Sequence, residues 1–458
     1  MKEWGRDYNI QQKFVDCGLP DTDSPRPDMM SSSGSSGSSG SGSGRSRSRS
    51  QRGRSALHVA AASGNDSLIK ELCHHSHTHT HTTITSDSDS DSDTGIERGS
   101  IMDIDVVNDR GMTAVHVAVE NGNVDILRTL FECGANMNFK NLKGNTPMIL
   151  AAQLGHVDMI STLFKLGGEV DEVNNYNMTP LYMASDSGHV EAVELLLSLG
   201  ANASITASTG DGPVSIAAAS GHTDVISSFC AAHVDINRPN NEGVTPVSIA
   251  AQENRIETLL KLHECGANIS SSDHSGMSPV HYATGFADVG VLRVLHSLGA
   301  NMDAQDNNGD AAVLIAAYES RIDILSLLYE LGCNINIQNN RLLSAAHIAV
   351  HHENMEIVKA LYYMGADMDG ANIEGKTPID LAKTMGNSNM ISFLTAPPPR
   401  GSGERYKVTD HTTLSHATYN TLQSNVPGIS VAIIFVLTIL YASRVMLRAN
   451  IADKSGRK

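Results

Sequence analysis

The chain has 458 residues, 40% hydrophobic but only 4% aromatic, with a formal net charge of −17. A core built from it must rest on Ala, Leu, Ile, Val and Met, which suits close helix packing better than a β-sandwich. The negative balance excludes DNA or RNA as an expected partner. Six cysteines, at 17, 73, 133, 230, 265 and 333, contain no C-x-x-C pair. They imply neither a zinc site nor a disulfide framework, and are expected as buried free thiols in a reducing compartment.

In chain order, residues 1–53 come first. Met1 to Gly18 carries charges throughout and no apolar run, so no secretory signal is expected. Residues 31–54 read SSSGSSGSSGSGSGRSRSRSQRGR. Such a stretch cannot bury enough apolar surface to offset its ordering entropy, and disorder is expected. Residues 74–100 form a second low-complexity stretch, with HHSHTHTHTTITSDSDSDSD from His74 to Asp93. Its alternating histidines could meet Zn or Ni, but they lack the fixed spacing of a structural site. A disordered insertion is the expectation, with no metal and no cofactor. The Ser-Asp alternation and the Arg-Ser run at 45–49 are candidate phosphorylation segments.

Between these stretches lies a strict period. Pro147, Pro180, Pro213, Pro246 and Pro279 recur every 33 residues; the count continues to Ala312, Ala345 and Pro378, and back to Ala114. A tenth copy, Ser55 to Ala61, lies one period plus 25 residues upstream. Glycines keep the same register, as in Gly144, Gly155 and Gly167. Each column has a physical task. Thr146 offers an oxygen to cap orphan N–H groups, and Pro147 fits a first helical turn. The spacing predicts an inner helix carrying Ile149, Leu150, Ala151 and Ala152, ended by Gly155, then a second helix over Val157 to Phe164, ended by Gly167. One such unit cannot bury its own apolar face, whereas a stack can.

Thr-Pro at 146–147, 179–180, 245–246 and 377–378, Ala-Val-His at 114–116, Pro-Val-His at 279–281 and Gly-Ala-Asn at 134–136, 200–202, 266–268 and 299–301 resemble the ankyrin repeat. The resemblance covers Arg54 to Leu394, about three quarters of the chain. It implies an all-α ankyrin-repeat solenoid of about ten helix-turn-helix repeats with β-turn fingers. Residues 54–73 would be a divergent first repeat and 101–395 the main array. It also implies that His58, His116, His281 and His347 link adjacent repeats by hydrogen bonds rather than hold a metal. Partners of ankyrin-repeat proteins bind across a concave face of finger tips and inner helices. Carried onto this chain, the candidates are Asp109, Asn175, Asn241, Glu242, Asp273, Asp306, Asn307 and Asn340. The competing reading is that Asn and Asp are simply good turn residues. Asn254, Ala287, Ser320 and Glu353 replace a helix-ending glycine, Asn177 and Leu342 a finger glycine, and His233 a loop glycine. These repeats are expected to be less regular.

A linker at 396–426 precedes an uncharged stretch in which Val431 to Tyr441 reads VAIIFVLTILY. Residues 427–447 are expected as one transmembrane helix, since about 20 residues span about 30 Å. Residues 448–458 form a short basic tail. The arrangement resembles a tail anchor, a single pass with the N-terminal region in the cytosol, on the mitochondrial outer membrane, peroxisome or ER. No G-x-x-x-x-G-K-[ST] or H-E-x-x-H motif occurs, so no catalysis is expected. Residues 101–395 carry 34 acidic and 14 basic residues, a net of −20, which favours proteins with basic segments as partners. The expected function is a non-catalytic scaffold or adaptor tethered to a membrane. The alternative is a membrane-held signalling or transcription regulator released by proteolysis.

Overall fold

A computed structural model describes residues 48–77 and 103–396. Twenty α-helices make ten consecutive pairs there, with no strand among the described residues beyond an isolated bridge between Gln305 and Ala311. The first pair is Ser48–Ser63 and Asp66–His77, the latter running into the His/Thr tract. The next nine open at Ala114, Pro147, Pro180, Pro213, Pro246, Pro279, Ala312, Ala345 and Pro378.

One repeat illustrates why the chain folds this way. Thr146 Oγ1 accepts the Ile149 N–H at 3.3 Å, and Pro147, which has no N–H to lose, sits in the first turn. The inner helix Pro147–Gln153 buries Met148, Ile149, Ala151 and Ala152. Gly155 then turns at φ +69°, where the His156 N–H reaches the Ala151 carbonyl at 2.9 Å. The outer helix Val157–Lys165 buries Met159, Ile160, Thr162 and Leu163.

Inner helices pack on inner helices of the next repeat, and outer on outer, so a single apolar core runs from Leu57 to Met390. Fully buried alanines, among them Ala151, Ala184, Ala217 and Ala250, let the inner helices approach. The last outer helix, Ser388–Thr395, buries only Met390, because no further repeat covers it.

Hydrogen bonds cross each junction in fixed columns. In the fingers, the N–H of Asn175, His274 and Asn340 donate to the carbonyls of Lys143, Glu242 and Asn308 at 2.9–3.2 Å. In the loops beyond the outer helices, the N–H of Asn202, Asn334 and Asp367 donate to side chains of Asp171, Asp303 and Asn336 at 2.8–2.9 Å. At the outer-helix starts, His189, His222 and Arg255 donate to the carbonyls of Gln153, Asp186 and Ala219 at 2.9–3.0 Å.

Two expectations meet the structure differently, and a third lies outside the described residues. Asn177, His233, Asn254, Ser320, Leu342 and Glu353 all adopt the left-handed conformation, with φ between 53° and 61°, so the backbone follows the glycine path without glycine. Neighbouring repeats hold it there. Ala287 alone departs, extended at φ −94° and ψ 176°. The expected free thiols are corrected at four positions: Cys73 bonds to Cys133 and Cys230 to Cys265, because each pair faces across one repeat junction. Cys333 is a free, half-buried thiol. The expected transmembrane helix at 427–447 lies outside the described residues, as do the tracts in 1–47 and 78–102. Among the described residues no helix is long and apolar enough to cross a membrane.

Two finger and loop glycines separate junction packing from backbone strain. A Cβ on Gly144 (φ +76°) would lie 2.6 Å from the backbone nitrogen of Asn175, whereas one on Gly134 (φ +85°) meets nothing within 4 Å. Gly134→Ala should cost about 1 kcal/mol from the positive φ alone. Gly144→Ala should cost about 1–2 kcal/mol more, because the next finger must move. Urea unfolding midpoints of the two variants check the difference.

Candidate functional site

The recurring histidine column is built into the junctions. His116 Nε2–H donates to the Asn145 carbonyl of the next repeat at 3.0 Å, while its Nδ1 accepts the Thr113 N–H at 3.2 Å. His281 repeats this with the Asp310 carbonyl and Ser278, and His347 with the Lys376 carbonyl and Ser344. His58 reaches the Met112 carbonyl at 2.8 Å. Both ring nitrogens of the first three are engaged, and burial holds each imidazole below its ordinary pKa. Among the described residues no group of three or more His, Cys, Asp or Glu is placed to hold a metal ion.

Most of the finger-tip candidates are spent on the fold. Asn175 Nδ2–H donates to the Leu142 carbonyl at 3.1 Å, Asn241 to Ser208 at 3.3 Å, Asn307 to His274 at 2.9 Å and Asn340 to Asn307 at 3.0 Å. Each bond runs from one finger to the preceding one. Asp273 accepts the N–H of Ser275 and Met277 and the Tyr282 hydroxyl, which closes its own turn. Asp306 does the same with Asn308 and Asp310. These six side chains thus make turn or cross-finger bonds within the array. Asp109 and Glu242 remain as exposed carboxylates at the tips, although the Glu242 carbonyl is part of the finger column.

What the fingers present instead is apolar. Leu142 is 70% exposed, Ile373 68%, Leu342 46% and Tyr176 42%. Leu142 and Ile373 occupy the column where Asn175, Asn241, Asn307 and Asn340 make their cross-finger bonds. Leu342 occupies the glycine column and bears φ +54° to do so. Exposed basic residues lie one finger back: the N–H of Leu142, Asn175 and Ile373 donate to the backbone carbonyls of Arg110, Lys143 and Arg341, and the Arg110 guanidinium pairs with the Glu120 carboxylate. In the sequence these positions are marked by Leu, Ile or Tyr in columns that otherwise hold polar residues or Gly.

Two junctions carry an electrostatic cost, since Asp211 and Asp310 are buried at equivalent positions and burial raises the carboxyl of each. Asp310 is 2% exposed; its Oδ1 accepts from Asn339 at 2.8 Å and its Oδ2 has no partner. Burial, with nearby Asp306, pushes its carboxyl up to about 6. In the repeat that opens at Pro147 the equivalent position is Asn145, which accepts from Asn174 at 2.9 Å without a charge.

Helix pairs stacked through shared finger bonds, presenting tips and inner helices to solvent, define a repeat array that acts by binding. The chain belongs to the ankyrin-repeat family. A family model for ankyrin repeats in three copies matches residues 41–141, 115–208, 199–273 and 250–339, and one for many copies matches 346–395. The crystal structure of the human ASB11 ankyrin repeat domain is similar at 27% identity, covering 47% of this chain and 96% of that chain, with a TM-score of 0.43. No curated protein matches. Ankyrin repeats form modules for protein–protein interaction, and this array is such a module.

The raised carboxyl of Asp310 gives a signed expectation. A folded-state pKa above the unfolded one means the native state prefers the protonated form, so this group's contribution is lost as pH rises through about 6. Asp310→Asn should therefore stabilise the array by about 1 kcal/mol at neutral pH. The gain should vanish as the pH falls to about 4, where the aspartate is itself protonated. Urea unfolding of both chains across that range measures it.

Proposed function

We propose that this chain is a non-catalytic scaffold or adaptor whose finger tips grip a protein partner by apolar side chains. The observation that carries the reading is the pair of apolar tips, Leu142 with Tyr176 and Leu342 with Ile373. Leu342 bears a left-handed backbone, and Leu142 and Ile373 give up the side-chain bond of their column; exposed apolar residues there oppose stability, and binding is what rewards them. Lys143 and Arg341, exposed beside these tips, favour acidic groups next to the apolar contacts. The net of −20 over 101–395 acts at longer range, drawing partners with basic segments.

The second half of the proposal concerns place. Residues 427–447 tether the array to a membrane, with the repeats in the cytosol. The uncharged run from His411 to Ser443 supports this, since it can enter hydrocarbon without an ionised side chain. The short span and the basic tail of Arg448, Lys454, Arg457 and Lys458 favour the mitochondrial outer membrane or peroxisome over the ER. Alkaline carbonate should leave the full chain in the vesicle pellet and release a chain ending at Gly401. Full-length protein in the wash would refute the tether.

Leu342→Gly combined with Ile373→Asn restores the ordinary finger residues. The double variant should unfold at a higher urea concentration, by about 1 kcal/mol, because the strain at φ +54° is relieved. It should also lose partners: proximity labelling from the intact chain and the variant should differ by at least about tenfold in the array's neighbours. Unchanged neighbours would remove the finger tips from the binding role.

A further inference from the structure

Four of the six cysteines obey a rule that the 33-residue register makes visible. Cys73 and Cys230 each stand 17 residues after the marker of their repeat, at Ala56 and Pro213. Cys133 and Cys265 each stand 19 residues after the marker of the following repeat, at Ala114 and Pro246. Cysteine occupies the first position only where the next repeat has cysteine at the second. At the other junctions these columns hold residues such as Phe164 with Leu199, or Tyr329 with Met364. Scattered structural thiols have no reason to coincide twice in one geometric relation. The geometry supplies the reason: the Cα atoms of the two pairs lie 6.0 and 5.9 Å apart, within the range a disulfide requires.

Each bond clips one outer helix to the next. The first joins Asp66–His77 to the end of Val124–Glu132, across the junction whose linking chain is lengthened by the His/Thr and Ser/Asp tract. That junction also holds helix packing, the His58 ring on the Met112 carbonyl, the Asn123 amide on the Ala61 carbonyl, and the Thr129 hydroxyl on Asp66. The second joins Thr223–Ala231 to Ile256–Glu264 in the middle of the array. Cys133, Cys230 and Cys265 are half-buried, so a small disulfide reagent can reach at least one sulfur of each pair.

We propose that Cys73–Cys133 and Cys230–Cys265 are redox-operated clips, oxidation sites at which a small disulfide such as glutathione disulfide locks two repeat junctions. The step balances. One cysteine thiolate attacks glutathione disulfide, forming a mixed disulfide and releasing one glutathione thiolate. The second cysteine thiolate then displaces the other glutathione. One protein S–S bond forms, one glutathione S–S bond breaks, and two protons pass from the cysteines to the two glutathiones. Reduction by excess glutathione runs the exchange backwards. Cys333, 21 residues after Ala312, stands outside the register and has no partner cysteine among the described residues. Burial, with Asp303 nearby, pushes its thiol up to about 12, which keeps it a thiol and makes it an internal control.

The test uses the full-length chain in mild detergent, equilibrated in glutathione buffers from reducing to oxidising, quenched with acid, and read by maleimide labelling and peptide mass spectrometry. Oxidation should protect four cysteines, as the two named cross-links, while Cys333 stays labelled. It should raise the unfolding temperature by about 5 °C. Cys133→Ser should remove the first cross-link alone, Cys265→Ser the second alone, each with part of the temperature shift, and Cys333→Ser should change neither. Cross-links between other cysteines, glutathione adducts without the named bonds, or oxidation without a temperature shift would overturn the proposal. Pairs that stay oxidised in the most reducing buffer would be permanent staples, which also overturns it.

Discussion

Every repeat in this chain leaves hydrogen-bonding groups that only its neighbour can satisfy. The N–H of a finger residue finds its acceptor one finger back, the side chain that opens an outer helix finds a carbonyl one repeat back, and the histidine of an inner helix finds one repeat forward. The apolar faces are shared in the same way. Stability is then a sum over junctions rather than the property of one central core. This explains why left-handed leucine, serine and glutamate are tolerated at Leu342, Ser320 and Glu353: the junction bonds on either side hold the turn regardless of the residue within it.

The same economy decides what is left for recognition. A finger must spend its Asn and Asp side chains on turns and cross-finger bonds, so the polar residues that look available in the sequence are largely committed. What remains free to choose is the side chain in columns whose bond can be forgone. Leu142 and Ile373 forgo it. The array thereby trades a local hydrogen bond, about 1 kcal/mol, for an exposed apolar contact. The histidine column shows the opposite choice, with chemically versatile rings fully consumed by the fold and kept neutral by burial.

Fold and register were legible because a strict period turns every position into a comparison with its equivalents. Thr146, Pro147, Gly155 and Gly167 each carry a local conformational demand that survives translation into structure. The cysteine pairing was not read, because spacing was sought within short motifs. Cys73 and Cys133 are 60 residues apart, Cys230 and Cys265 only 35, and only the shared register makes the two separations equivalent. The exposed apolar finger positions were overlooked for a related reason. Composition favours Asn and Asp at turns, so their commonness masked the informative exceptions, and hydrogen-bond commitment is invisible without coordinates.

The final helix pair has a consequence of its own. Ser388–Thr395 buries a single side chain, while Ile391, Phe393 and Leu394 rest only partly covered against the core. Whatever load the polypeptide transmits through the residues after Ala396 is applied to the least secured helix of the row. Under tension the array would peel from that end, one helix pair at a time, giving length gradually instead of rupturing at once.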